Sequence, residues 1–498
     1  MANNHISELV ATDELFQLIQ NENFVGWVFS LDYDNALVVT NDAWKYAVRG
    51  IPHPDIKSFL DECGYMVPPT GTELAEIVSN FISVPAWDNT LPTKIIAIDG
   101  SSYEAMVNSQ IPFTRFGFVK IGHLLINRES FQGLNSGKFV DPFAVARLSE
   151  DNSSLLFSFP SSNMSYKGQK SVRDSFRMAM DEALYKQRFT EENPRTSLRT
   201  TLFYIASQRT AKLHSDVPNR LFLHKCPSCD AEMIEVWDIP ETQKCPHCGE
   251  RVYPSDCLRI WEEVHDSASN QLALTRFTNV VMHILIVHYI RHLKERFPNS
   301  YLKALSNMCF FIDGPLAVNG TAAWIKSSIQ KSIYDINEDL QKTGMPPLMV
   351  IGLQKSGKLY DYIHLIGSSV HPDSIYCVTD DFRNNYVDYN KTPSSTTYGN
   401  ETYYGQDFLL KTRSGKLFVF TAPYPFPNKD NIAAFKQEKA NIERYSNIGA
   451  YVKLIEDFES DLYESAVIPI ALAQKYTAIS LQPGGKVLDI LAQTAVQQ

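Results

Sequence analysis

The chain has 498 residues, 44% hydrophobic and 20% charged, which is ordinary globular composition with ample core and room for roughly two to four domains. Its net charge of −10 argues against a surface coated in basic residues for nucleic acid, although a local basic channel is compatible with it. Eight cysteines, four of them in two C-x-x-C pairs, point to a reducing compartment and a metal rather than a disulfide framework.

Met1-Ala2-Asn3-Asn4-His5 lacks the basic and apolar regions of a signal peptide, so a cytoplasmic location is expected. Residues 1–90 read as a small β-rich unit suited to docking. Within it, Phe24–Leu31 and Asn35–Thr40 flank Asp32-Tyr33-Asp34 in a hairpin pattern. Thr70 and Glu73 have capping-box spacing, which predicts a helix from Thr70 to Ile82. The unbroken apolar run Ile95-Ile96-Ala97-Ile98 predicts a strand buried on both faces, and Asp99-Gly100-Ser101 predicts its end. Phe116–Ile126 predicts a strand paired with it. Residues 127–170, rich in Ser, Asn and Gly, predict mostly loop. Val172, Phe176, Ala179, Met180, Ala183 and Leu184 recur at helical spacing over Ser171–Gln187. Glu182 on that helix is a candidate for facing a site, although such acids are usually solvated.

Cys226-Pro227-Ser228-Cys229 and Cys245-Pro246-His247-Cys248, with 15 residues between them, fit a four-cysteine zinc ribbon. Four thiolates complete a tetrahedron and leave no open position, so this Zn2+ site is structural. Cys257 lies outside the pattern and belongs to the core. Arg276–Leu293 predicts a long helix whose His288 and His292 share a face, without the third ligand a metal would need. Its apolar stretch Val280–Ile290 is too short to span a bilayer, so no membrane partner is expected.

The second apolar run, Met308–Ile312, ends in Asp313-Gly314-Pro315, repeating the device at Asp99. Each Asp-Gly can open a turn and nothing more. If the two strands are neighbours, however, their carboxylates converge and can hold two divalent cations ~3.5–4 Å apart for hydrolytic chemistry. Hard oxygen ligands suit Mg2+ or Mn2+. An amphipathic helix follows over Thr321–Lys342, then a buried strand over Pro347–Leu353. Gly352–Lys358 imitates a phosphate loop, but Leu359 stands where Ser or Thr should hold magnesium, so a P-loop-like nucleotide-binding protein is the weakest alternative. Ser374–Thr379 leads to Asp380-Asp381, Leu417–Thr421 predicts a strand, Asn431–Tyr445 a charged helix, and Pro469–Ala478 a closing helix.

Taken together, residues 91–498 resemble the NurA family of nucleases. The resemblance rests on Asp99-Gly100-Ser101, Asp313-Gly314-Pro315-Leu316, Lys355, Tyr404-Gly405 and the tail Ile468-Pro469-Ile470-Ala471-Leu472-Ala473, in that order. It implies an α/β, RNase H-like mixed-sheet core with flanking helices, in two parts, 91–220 and 261–498, around a zinc ribbon at 221–260. It also implies a manganese-dependent deoxyribonuclease, a homodimer, and a hexameric HerA-type ATPase as partner in DNA end processing, repair or defence against phage. Lys355 would neutralise the scissile phosphate. The family's tail carries a His where this chain has Gln474, which can hydrogen-bond a phosphate but cannot shuttle a proton. A family Glu on the helix before the second Asp-Gly strand aligns with Met282. Unless Glu182, Glu295 or Asp380 substitutes, one metal ligand is missing, and a catalytically weakened subunit serving assembly or DNA binding is the rival reading.

Overall fold

Two parallel apolar strands, each with a carboxylate where the pair ends, form the centre of the molecule. The computed structural model describes residues 62–64, 66–87, 89–108, 110–134, 152–209, 213–388, 397–460 and 463–478. The chain divides into two compact units, Met1–Val67 and Pro68–Gln498. The hairpin expected over Phe24–Thr40 lies outside the described residues. The second unit begins well before residue 91, so the helix capped by Thr70 belongs with the core and not with a 1–90 module.

In chain order the described elements begin with α1 (Gly71–Ser79), β1 (Ile82–Ser83), β2 (Lys94–Asn108), β3 (Ile111–Asn127), α2 (Arg128–Leu134), β4 (Asn152–Pro160), α3 (Val172–Lys186) and α4 (Leu198–Ser207). The cysteine-bearing segment supplies β5 (Arg220–Lys225), β6 (Glu232–Trp237), β7 (Gln243–Lys244) and β8 (Arg251–Val252). Then come α5 (Gln271–Arg296), α6 (Tyr301–Ser306), β9 (Met308–Asp313), α7 (Ile325–Lys342), β10 (Met349–Gln354), α8 (Lys358–Ile366), β11 (Ser374–Cys377), β12 (Gly405–Lys411) and β13 (Leu417–Pro423). The series closes with α9 (Ile432–Glu438), α10 (Ile448–Phe458), β14 (Glu459–Ser460), β15 (Tyr463–Val467) and α11 (Ile468–Thr477).

Among the described residues, nine strands form one mixed sheet in the order β1-β11-β12-β13-β10-β9-β2-β3-β4. β10, β9 and β2 run parallel, and the flanking pairs are antiparallel. Side chains alternate across the sheet, so each strand feeds two cores. Ile96, Ile98, Phe310, Ile312 and Val350 face α3, α4, α5 and α7. Ile95, Ala97, Cys309, Phe311 and Ile351 face α10 and α11. The protein is therefore an α/β molecule with a large mixed sheet between helical layers. α5 is long and apolar enough to cross a membrane by length and composition, but 78% of its most apolar window is buried inside the protein.

Several local expectations change on contact with the structure. β2 does not end at Asp99 but runs on to Asn108, because β3 pairs with it along nearly its whole length. Gly100 stays in the strand for a packing reason: a Cβ there would lie 2.5 Å from Thr278 Cγ2 and 2.9 Å from Met282 Sδ, so its absence lets α5 lie close to the sheet. Within residues 127–170, expected to be mostly loop, the described part contains α2 and β4. The helix after Thr70 stops at Ser79 and Ile82 enters a strand, while the capping box itself is present. The helix expected over Asn431–Tyr445 is the shorter α9 followed by a turn at Ile442–Arg444.

The imitation phosphate loop is not one. Gly352 and Leu353 are in ladder register with both β9 and β13, and Gln354 with β13, so their backbone groups serve the sheet and cannot cradle phosphates. A helix does begin at Lys358, but Leu359 in its first turn is buried.

Candidate active site and zinc site

The register of β2 and β9 pairs Ile98 with Ile312, so the next residues, Asp99 and Asp313, stand side by side on the same face. β9 ends there while β2 continues, which opens the sheet edge at this step. Asp99 is 5% exposed and its carboxyl hydrogen-bonds that of Asp313. Burial first, and the adjacent Asp313 charge second, push the Asp99 carboxyl up to about 7; the Thr477 hydrogen bond and the Lys355 charge pull against them.

β10 continues the pattern one strand over. Lys355 follows its last residue and places Nζ 3.1 Å from Asp313 Oδ2. The same ammonium donates to Gln474 Oε1 at 2.9 Å. Gln474 comes from α11, which also supplies Thr477, whose hydroxyl donates to Asp99 Oδ2 at 2.6 Å. α11 reaches this depth because residue 122, opposite Asp99 on β3, is glycine. A Cβ on Gly122 would lie 2.9 Å from Thr477 Cγ2 and 3.5 Å from the Ala473 carbonyl.

The structure thus brings together Asp99, Asp313, Lys355 and Gln474 from four separate segments. It does not bring Glu182, whose carboxylate pairs with Lys167 Nζ at 2.7 Å and accepts from Tyr166 at 3.0 Å. The other proposed substitutes are engaged as well: Glu295 by Arg291, and Asp380 by Lys439. Met282 is buried against Gly100 on the face of the sheet opposite the two carboxylates. A side chain at that position points away from the Asp99–Asp313 pair. Sequence reading missed Thr477, a lone threonine in the last turn of a helix with no local motif.

Tyr404, part of the resemblance, is wholly buried and serves as a strut. The Ala317 carbonyl can only accept, so the His283 imidazole donates to it. Nδ1 of the neutral ring then accepts from the Tyr404 hydroxyl at 2.6 Å. Burial drives the His283 pKa down to about 3, which keeps the ring neutral. His288 and His292 are not a metal pair: both rings stack on Phe189, and His288 Nδ1 bonds the Thr201 hydroxyl.

The four cysteines converge as their spacing predicts. Cys226, Cys229, Cys245 and Cys248 have sulfurs all within 4.8 Å of one another, with Cys226 to Cys248 and Cys229 to Cys245 each at 3.8 Å. Burial opposes ionisation of Cys245, and the backbone N–H groups of Cys248 and His247 outweigh it, drawing its thiol down to about 7. Soft thiolates in a closed tetrahedral set suit zinc. Cys257 is buried core, as expected, with its carbonyl accepting from Trp324.

An α/β protein with paired carboxylates where the pairing of two parallel strands ends, and a separate four-cysteine cluster, is the class these features define. The chain matches the NurA domain family over residues 93–374. It belongs to that family. Among solved structures it is similar to the NurA nuclease from Sulfolobus solfataricus, at 7% identity and a TM-score of 0.30, covering 93% of this chain and 97% of that one. No curated protein matches.

Proposed function

We propose that the protein is a divalent-metal-dependent deoxyribonuclease whose reaction centre is Asp99 and Asp313. The observation that carries this reading is the meeting of a buried carboxyl and a partly exposed one beside the Lys355 ammonium, at the open step of the sheet. Family membership supports it. The donor set fits a hard cation, because the two side-by-side side chains at this step are carboxylates, which offer anionic oxygens. Bound there, Mn2+ or Mg2+ would polarise a phosphodiester and lower the pKa of water.

The chain's own residues have distinct tasks. Asp99 and Asp313 hold the cation, and Thr477 fixes the rotamer of Asp99. Lys355 offers positive charge to the phosphate, and Gln474 keeps that ammonium in place. Gln474 can also hydrogen-bond a phosphate oxygen, but an amide moves no proton at neutral pH. In the cell we place the protein in the cytoplasm as a homodimer on a hexameric HerA-type translocase, acting on DNA ends in repair or in defence against phage.

A second reading has its own observation. Beyond Asp99 and Asp313, the acids weighed as a third ligand are all paired elsewhere. A weakened subunit that supports assembly or holds DNA would have such a centre. Manganese-dependent degradation of linear DNA, with and without the ATPase, separates the two. The nuclease reading expects degradation that Asp313→Asn removes; cleavage equal in that variant, or absent under both conditions, favours the second.

A further inference from the structure

The Asp99–Asp313 pair has an occupancy that its own hydrogen bonds limit. The two carboxyls hydrogen-bond each other, and their oxygens have further partners: Asp99 Oδ2 accepts from the Thr477 hydroxyl at 2.6 Å and Asp313 Oδ2 lies 3.1 Å from Lys355 Nζ. Lys355 is held in turn by Gln474 Oε1 at 2.9 Å, and its side chain is only 20% exposed. It is a pinned charge beside the carboxylates, unlike a surface lysine free to swing away.

A centre for two hard dications shares a carboxylate between them, through one oxygen or both, and needs further anionic ligands to complete each shell. Among the described residues, four acids that could be considered as further ligands are committed elsewhere. Glu182 pairs with Lys167, Asp380 with Lys439, Asp407 with Arg383, and Glu104 with Arg115. From α5, Met282 and Thr278 approach the opposite face of the sheet.

The charge balance points the same way. With both carboxyls ionised, as cation binding requires, two carboxylates and one ammonium leave a single net negative charge. One dication would convert that to a single positive charge, which a phosphodiester neutralises. Two dications would leave three positive charges crowded around a buried carboxylate.

We propose that this centre takes one divalent cation per chain, with the Lys355 ammonium standing where a second positive charge would be required. This rests on the reading of Asp99 and Asp313 as cation ligands. It adds that Lys355 and Thr477 together fix the stoichiometry.

Titration of the full-length, zinc-loaded chain with Mn2+, followed by calorimetry and by the paramagnetic signal of free manganese, tests it. The expected result is one manganese per chain, lost in Asp313→Asn while zinc is retained. Two manganese ions per chain, both lost in that variant, would overturn the single-cation proposal but leave the cation-binding reading intact. No binding at all would overturn both. In a second arm, Lys355→Met removes the resident charge. Affinity for manganese should then rise roughly tenfold, because the repelling ammonium is gone. Unchanged or weaker binding, with the melting midpoint held, would show that the lysine charge is not part of the centre and would overturn the proposal.

Discussion

Asp99 carries an unusual electrostatic load for a single side chain. Its carboxyl, raised to about 7 in the fold against 3.8 as the ordinary value, binds a proton in the native state that the unfolded chain releases. Its contribution to stability is therefore complete below about pH 4 and is lost as pH rises through 7. The loss is about 4 kcal/mol at most, taking ~1.4 kcal/mol per unit. Asp99→Asn in the metal-free protein should accordingly raise the melting temperature at pH 8 and leave it nearly unchanged at pH 4. Equal shifts at both values would refute the assignment. Thr477→Val keeps the shape of the side chain and deletes the donor to Asp99. It should weaken manganese binding several-fold, with recovery in Thr477→Ser; calorimetry of the three proteins decides it. At this scale the sequence was half legible. Asp99 and Asp313 were visible because an acid after an apolar run is a local signal. Thr477 was not, because its partner lies 378 positions away and only the glycine at 122 lets the two meet.

The cysteine-bearing segment illustrates how an element is tied in. Leu221, Leu223, Ile234 and Val236 enter the same core as α3, α4 and α5, so the ribbon is not an independent insertion. Two buried arginines hold it. Arg177 on α3 forks onto Asp256, with Nε at 2.8 Å and Nη2 at 2.7 Å. Arg199 on α4 joins Asp181 at 3.2 Å and Asp238 at 3.1 Å. Breaking such a pair leaves a buried charge unmatched, at a cost of about 3–5 kcal/mol. Arg177→Met should lower stability by that amount in denaturant melts, because Asp256 has no exposed surface through which to regain water. A change below ~1 kcal/mol would mean the fork contributes only surface-pair energy. Zinc spacing and the α3 helix were readable from local pattern. β4 was missed for a physical reason: Phe157 and Phe159 alternate inward, but Ser153, Ser154 and Ser158 gave the segment the composition of a loop. The end placed at Gly100 failed similarly, because strand length is set by a partner strand and glycine there serves an approaching helix.

For the molecule as a whole, the balance of charge and the division into units bear on how DNA would reach the centre. A net charge of −10 repels a polyanion at long range, and non-specific affinity comes mainly from phosphate contacts that salt weakens. Alone, the chain should hold DNA weakly at physiological salt. A ring-shaped motor that threads DNA past the centre would replace that missing affinity with high local concentration. The unit Met1–Val67 is the natural candidate for the docking role, since the residues of the candidate centre and the zinc cluster all lie in Pro68–Gln498. Removing residues 1–67 should abolish co-purification with a HerA-type hexamer while zinc content and manganese binding persist. The same truncation should leave unaided DNA binding at physiological salt as weak as before. If the complex survives the truncation, the docking surface lies on the sheet-bearing unit and the first unit has another task, such as shielding the centre. Stronger unaided DNA binding after truncation would identify that task as shielding.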